Sequence, residues 1–248
     1  MKHTLGKAHI ERYSRQLLVP GIGVSGQQGI VDGSVLIIGA GGLGCPAGLY
    51  LAGAGVGRIG IVDWDVVDTS NLHRQIGHTE AAVAEKMNKA ESLSRTLLSL
   101  NSLIRVDAHS VQLTAENAEH LVHPYDVVID ASDNAVTRYL INDVCVKLGK
   151  PLVSGAALRF DGQLTTYNTD FGPCYRCLYP QPPPAAAVVN CDAGGVVGPV
   201  TGIIGAAQAL EAIAILAGWG PVYAGRLLLF DGHGGQTRTV KLRGKREG

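Results

Sequence analysis

The residues with chemistry in them crowd into one stretch, Asp63-Trp64-Asp65-Val66-Val67-Asp68-Thr69-Ser70-Asn71-Leu72-His73-Arg74-Gln75, with Lys86 close behind. Carboxylates, an amide, an arginine and a lysine so close together suit the handling of phosphate. Carboxylates hold a divalent cation, while guanidinium and ammonium groups neutralise phosphate oxygens. A second carboxylate, Asp133, stands in Asp130-Ala131-Ser132-Asp133-Asn134. Upstream, the aliphatic run Val35 to Ile38 feeds Gly39-Ala40-Gly41-Gly42-Leu43-Gly44. That spacing marks a loop whose backbone amides cradle phosphate at the start of a helix. In dinucleotide-binding units an acidic residue about 20 positions further on holds the ribose, and Asp63 falls there. On the loop and Asp63 alone an NAD-dependent dehydrogenase fits. A hydride-transfer site has little use for the charges that follow, whereas a triphosphate needs them.

These groups can meet only if the chain folds them to one edge of a sheet. After Val35 to Ile38 the sequence reads as a helix over 45–54, then a strand over 57–62 closed by Asp63. A helix over 81–99 and strands over 105–109 and 126–130 follow, then a helix over 135–148 and a strand over 152–154. Strands alternating with helices give a mainly parallel sheet, in which Asp65 and Asp133 emerge at the carboxyl ends of strands and face one crevice. Beyond it, 162–168 alternates like an antiparallel strand. Pro180-Gln-Pro-Pro-Pro184 breaks regular structure, and 226–230 with 236–242 reads as a hairpin. The expected fold is α/β, a Rossmann-like doubly wound mainly parallel sheet with an antiparallel C-terminal extension. A helical segment over 1–33 precedes a nucleotide-binding domain over 34–248.

Lysine plus arginine and aspartate plus glutamate both number 21, so no net field draws the chain to nucleic acid or acidic lipid. Direct nucleic-acid binding is not expected. The polar N-terminus carries no apolar signal segment, which makes the cytosol the expected location. Val196 to Ala217 has the length of a membrane span but contains Pro199, Gln208 and Glu211, so a buried helix and no membrane contact are expected.

Of the five cysteines, Cys174 and Cys177 have the spacing of half a tetrahedral zinc site. A redox pair is the rival reading, disfavoured because this pair follows an antiparallel strand and does not open a βαβ helix. Cys45 and Cys145 read as small core residues. Histidines 73, 78, 109, 120, 123 and 233 form no metal spacing, and none is assigned chemistry from spacing.

Taken in order, Arg12-Tyr-Ser-Arg15-Gln16, the glycine loop, Asp63-Trp-Asp65, Ser70-Asn-Leu-His-Arg-Gln75, Lys86 and Ser132-Asp-Asn134 form a pattern, continued by Cys174-Tyr-Arg-Cys177, Pro180 to Pro184 and Asn190-Cys191-Asp-Ala-Gly-Gly195. The pattern resembles the ubiquitin-activating-enzyme superfamily, in its ThiF/MoeB-like branch, over roughly residues 10 to 243. The resemblance implies ATP-dependent adenylation of the C-terminal glycine of a ubiquitin-like sulfur carrier ending in Gly-Gly. The acyl adenylate would serve later thiocarboxylation, for molybdenum-cofactor synthesis or transfer-RNA thiolation. It further implies that Gly39, Gly41, Gly42, Gly44, Asp63 and Asp65 hold the nucleoside. Ser70, Asn71, Leu72, His73, Arg74, Gln75 and Lys86 would line the phosphates, and Asp133, beside Asn134, would hold Mg²⁺. Arg15 would reach the ATP of a partner subunit in a homodimer, and Cys191 would bond covalently to the activated carrier. The family completes the zinc site with a second Cys-x-x-Cys beyond the last strand and, in some members, adds a rhodanese-like domain. Neither occurs before Gly248, so Zn²⁺ is expected to be held weakly or not at all. A non-catalytic partner subunit and a transfer-RNA-modifying member of the superfamily are the alternatives within it.

Overall fold

Strand β1 (Ser34–Ile38) has no polar side to show water: Val35 and Ile37 face one way, Leu36 and Ile38 the other, and all four are buried. Such a strand must lie at the centre of a sheet covered on both faces. In the computed structural model, which describes residues 5–169, 172–182 and 194–242, β1 is flanked in parallel by β2 (Arg58–Val62) and β4 (Val127–Asp130). Outside these lie β3 (Arg105–His109) and β5 (Leu152–Leu158), also parallel. Then β6 (Asp161–Tyr167), β7 (Arg226–Asp231) and β8 (Gln236–Lys241) run antiparallel, so that one eight-stranded sheet has the order β3-β2-β1-β4-β5-β6-β7-β8.

The expected fold class holds, and the antiparallel extension continues the same sheet. Strand β5 is longer than the 152–154 read from the sequence. It pairs with β6 along its whole length, from Leu152↔Tyr167 to Leu158↔Asp161, the Gly155-Ala156-Ala157 portion included. Ladder pairing decides the strand there, where side-chain propensity is weak.

Helices α4 (Gly44–Ala54), α6 (Lys89–Leu100) and α10 (Gly198–Leu216) cover one face, and α7 (Ala118–Val122) and α8 (Ala135–Leu148) the other. Helix α10 has the length and apolarity of a membrane span, yet half of it is buried inside the fold. Its buried polar residues find partners there, with Gln208 Oε1 alone of their side-chain atoms left over. Gln208 donates to the carbonyls of Asp130 and Val153 at 2.7 and 3.2 Å, and Glu211 accepts from the Thr166 hydroxyl and the Val222 and Tyr223 amides. At the N-terminus, α1 (Lys7–Arg12), α2 (Ser14–Leu17) and α3 (Gly23–Asp32) dock onto the sheet unit. The Tyr13 ring lies over Gly55, where a Cβ would come within 2.2 Å of it, and its hydroxyl accepts from Asn101.

The single helix read over 81–99 is instead two, α5 (Glu80–Ala84) and α6, parted at Glu85 to Asn88. Ala, Glu, Lys and Met favour a continuous helix, but Asn88 has stronger attachments. Its Nδ2 donates to the carbonyls of Asp63 and Asp65 at 3.0 Å each, and its Oδ1 accepts from the Ala90 amide as the cap of α6. Lys86 takes the left-handed conformation, φ 49°, to make the turn.

Candidate active site

The strand order reverses direction between β1 and β4, and a crevice opens at the carboxyl ends of these strands. A cleft of about 1140 Å³ lies there, larger than the roughly 300–1,000 Å³ of a typical small-ligand pocket.

Its floor is the turn from β1 into α4. Gly39, at φ 99°, lets the chain pass the Ala131 carbonyl, which a Cβ would meet at 2.7 Å. At Gly44 a Cβ would lie 1.9 Å from the Gly39 carbonyl, so the first turn of α4 closes directly onto the loop. Gly41 and Gly42 line the cleft between them. The free amides of this helix start favour an anion.

From β2 comes Asp63. Its Oδ2 accepts from the Ala40 amide at 2.7 Å and its Oδ1 from the Asp65 amide at 2.9 Å. Burial pushes the Asp63 carboxyl above its ordinary value, against those two N–H groups. Asp65 accepts from Lys89 Nζ at 2.8 Å; the lysine side chain is 10% exposed and the aspartate 47%. Lys89 is thus the lysine in the cleft wall, and Lys86 is exposed in the turn outside it. The lysine expected in the site is Lys86; the structure places Lys86 outside the cleft and Lys89 in its wall. The signal that could have found it was Asn88, a strong N-cap residue that stands directly before Lys89 and starts α6 there.

Arg74 and Gln75 also line the cleft. Arg74 Nη2 donates to Asn71 Oδ1 at 2.8 Å and packs its Nη1 2.9 Å from His73 Nε2. Gln75, buried, donates to the same Asn71 oxygen while its Oε1 has no protein partner. Ser70 to His73 form the short turn that holds these two and do not themselves line the cleft. Asp68 caps that turn by accepting from the Ser70 amide and hydroxyl.

On the β4 side, Asp133 and Asn134 are exposed at the cleft mouth. The loop carrying them is fastened from below. Buried Asp130 accepts from the Ser132 amide and hydroxyl and from the Ser154 hydroxyl, and Arg138 donates to the Ser132 and Gly155 carbonyls. Asn134 caps α8 through the Thr137 amide. Sequence reasoning passed over Asp130 and Arg138, whose value lies in the loop they hold still. Gln163, Asp231 and Arg238 of the antiparallel strands also line the cleft.

Arg15 is exposed on α2 and Cys191 lies outside the described residues. Cys174 is the N-cap of α9 (Tyr175–Leu178) and Cys177 lies within it, their sulfurs 3.0 Å apart, and neither lines the cleft. Burial first, then the neighbouring thiol, raises the Cys174 value. Among the described residues no group of three or more His, Cys, Asp or Glu side chains stands ready for a metal, and two thiols are half of what tetrahedral zinc takes.

Comparison with known proteins agrees with this geometry. The chain is 55% identical over 248 residues to the adenylyltransferase and sulfurtransferase MOCS3 of Dictyostelium discoideum, covering 100% of this chain and 58% of that protein. It is 57% identical over 242 residues to the protein of the same name from Anopheles gambiae, covering 98% and 54%. The chain therefore spans little more than half the length of these relatives. Among solved structures, E. coli MccB with ATP aligns at TM-score 0.77 and 20% identity over 90% of this chain and 67% of that one. PaaA aligns at TM-score 0.81 and 20% identity over 98% and 76%; at such identities the likeness is one of fold. The family model for ThiF matches residues 13–248, and the chain belongs to the ThiF family.

Proposed function

We propose that the chain is an ATP-dependent adenylyltransferase that activates the C-terminal glycine of a ubiquitin-like sulfur carrier ending in Gly-Gly. One observation carries the reading: a glycine loop at a helix start, two carboxylates, two cations and a further exposed carboxylate converge on a single cleft at the switch point of the sheet. The relatives named adenylyltransferase and sulfurtransferase support it.

ATP fits the residues present. Added side chains at Gly39, Gly42 or Gly44 would crowd neighbouring atoms, so these positions keep the backbone approachable, and the orphaned Gln75 Oε1 waits for a donor in the same wall. In this reading the amides of Gly41 and Gly42 receive phosphate oxygens, and Asp63 and Asp65 accept from the ribose hydroxyls. The carrier's terminal carboxylate oxygen forms a bond to the α-phosphorus. The bond from that phosphorus to the bridging oxygen breaks, and pyrophosphate leaves with the electron pair. The carboxylate is ionised at neutral pH, so no general base is called for. Catalysis rests on positioning and on Lys89 and Arg74 neutralising charge that builds on the α-phosphate and the leaving group.

Asp133, with Asn134 beside it, is the residue to hold Mg²⁺, which supplies further neutralisation when bound. Arg15 is proposed to complete the site of a twin subunit in a homodimer, and Cys191 to take up the activated carrier. The cleft volume beyond the nucleotide end suits an extended, side-chain-poor peptide tail.

The test is intact-mass analysis of a Gly-Gly-tailed carrier mixed with the chain, ATP and Mg²⁺. A carrier heavier by one AMP is expected, and a carrier lacking its last glycine should stay unmodified. Modification of neither, or of both alike, would overturn the reading.

A further inference from the structure

His78 sits under the glycine loop in a place where nothing requires a histidine unless its nitrogens are used. It is buried. Its Nε2 lies 2.8 Å from the carbonyl oxygen of Ala40, the residue between the first two glycines, and its Nδ1 lies 2.9 Å from the Ser92 hydroxyl. A carbonyl oxygen can only accept, so Nε2 carries the proton and donates. Nδ1 is then a lone pair, and the Ser92 hydroxyl donates to it. Burial keeps the imidazole below its ordinary histidine value, which favours this neutral, single-donor form.

The other end of Ala40 is held as well. Its amide donates to Asp63 at 2.7 Å, so the two peptides that flank this residue are pinned by a carboxylate on one side and an imidazole on the other. The next amide along is that of Gly41, a residue that lines the cleft. Glycine on both sides of Ala40 leaves this backbone free to rotate unless something fixes it.

The anchors of His78 run back into α6. Gly77 is pressed against Leu93 and Cys45, which a Cβ would meet at 2.6 and 3.0 Å, and its carbonyl accepts from Thr96 at 2.7 Å. Ser92 stands one turn after Lys89, on the same side of the helix. The start of α6 thus delivers Lys89 to the cleft wall and, through Ser92 and His78, holds the floor. Cys45, 3.4 Å from the same Ala40 oxygen, is a weak second donor.

We infer that His78 is a positioning residue for nucleotide binding: through its Nε2–H it fixes the Ala40–Gly41 peptide so that the glycine-loop amides meet the phosphates. The inference rests on the proposed use of ATP. It concerns a side chain that touches no substrate.

The experiment is titration calorimetry of ATP with Mg²⁺ into the chain and three variants, alongside their thermal unfolding. His78→Leu keeps the volume and removes the donor. His78→Gln keeps a donor of similar reach, and Ser92→Ala removes only the group that sets the tautomer. The expected Kd for ATP rises about tenfold or more in His78→Leu, the worth of one buried hydrogen bond to a binding loop. It should return to within about threefold of the parent in His78→Gln and shift in the same direction, by less, in Ser92→Ala. A merely structural role would lower the unfolding temperature of both histidine variants and leave the Kd of the folded fraction unchanged. Equal affinity in His78→Leu and the parent overturns the inference, as does a His78→Gln no better than His78→Leu. If His78→Leu does not fold, the Gln and Ala variants decide: unchanged Kd in Ser92→Ala together with full loss in His78→Gln overturns it. A parent chain that binds no ATP overturns the proposed function and the inference with it, an outcome distinct from the others.

Discussion

Replacing Lys89 by alanine and, separately, Lys86 by alanine separates the geometry of the cleft from the reading of the sequence. Lys89 places its ammonium 2.8 Å from Asp65 with its side chain 10% exposed. Asp65 is nearly half exposed, so water can replace the lost partner, and the folding cost is about 1 kcal/mol or less. The catalytic cost is set differently. Removing one preorganised donor from a developing charge typically lowers a rate by about 10²–10³-fold, roughly 2.7–4 kcal/mol. Lys86 is exposed, outside the cleft, in a turn at φ 49°. Alanine is no worse suited than lysine to that conformation, and a surface change of this kind stays within about 0.5 kcal/mol. Single-turnover transfer of AMP to a Gly-Gly-tailed carrier is the assay, with thermal unfolding run in parallel. Expected is a loss of about 10²-fold or more for Lys89→Ala with little change in unfolding temperature, and a rate within about twofold of the parent for Lys86→Ala. The reverse pattern would refute the placement of α6 and of the Asn88 turn that starts it.

Two glycines offer an internal contrast: Gly39→Ala adds a Cβ 2.7 Å from the Ala131 carbonyl at φ 99° and should cost about 3 kcal/mol or more, while Gly53→Ala, with nothing within 4 Å in the last turn of α4, should gain about 0.5–1 kcal/mol, both read by denaturant unfolding. Burial holds His78 and His109 below the ordinary histidine value, so the unfolded chain binds more protons than the folded one as pH falls through about 6.5, and stability present above that pH is lost below it. Hydrogen bonds from Arg176 hold Asp143 low, adding a second loss below about pH 4, while Asp63, raised by burial, works the other way as pH rises past that value. Unfolding temperatures scanned from about pH 7 to about pH 3 should therefore fall, and a flat or rising profile would contradict the assignments. A thiol-alkylating reagent should modify Cys174 and Cys177 in the native chain and spare Cys45 and Cys145, whose buried thiols are pushed up to about 12, as peptide mass analysis would show.

Much of this architecture could be read from residue order because local and global signals agree. The two-sided apolar character of β1, the glycine turn after it and Asp63 at the end of β2 each specify their own neighbourhood. The strand alternation then places Asp133 opposite Asp63 without further information. What could not be read was decided by contacts distant in sequence. Residues 85–88 have helical propensity, but the Asn88 side chain is bound to the carbonyls of Asp63 and Asp65, about two dozen positions away in the chain, and that attachment moved the lysine. Strand β5 outran its propensity because β6 pairs along its whole length. His78 drew no attention because a histidine that donates to one backbone carbonyl has no spacing motif. The roles proposed for Arg15 and Cys191 depend on a second subunit and on residues outside those described.

The central claim, that this cleft joins AMP to a carrier's terminal carboxylate by expelling pyrophosphate, is reversible chemistry and can be observed as such. Labelled pyrophosphate should enter ATP when the chain, Mg²⁺ and a Gly-Gly-tailed carrier are all present, should do so at a rate that saturates with carrier, and should fail with Asp133→Ala. Exchange that proceeds without a carrier, or that persists in Asp133→Ala, or no exchange with any Gly-Gly-tailed carrier, would contradict the account.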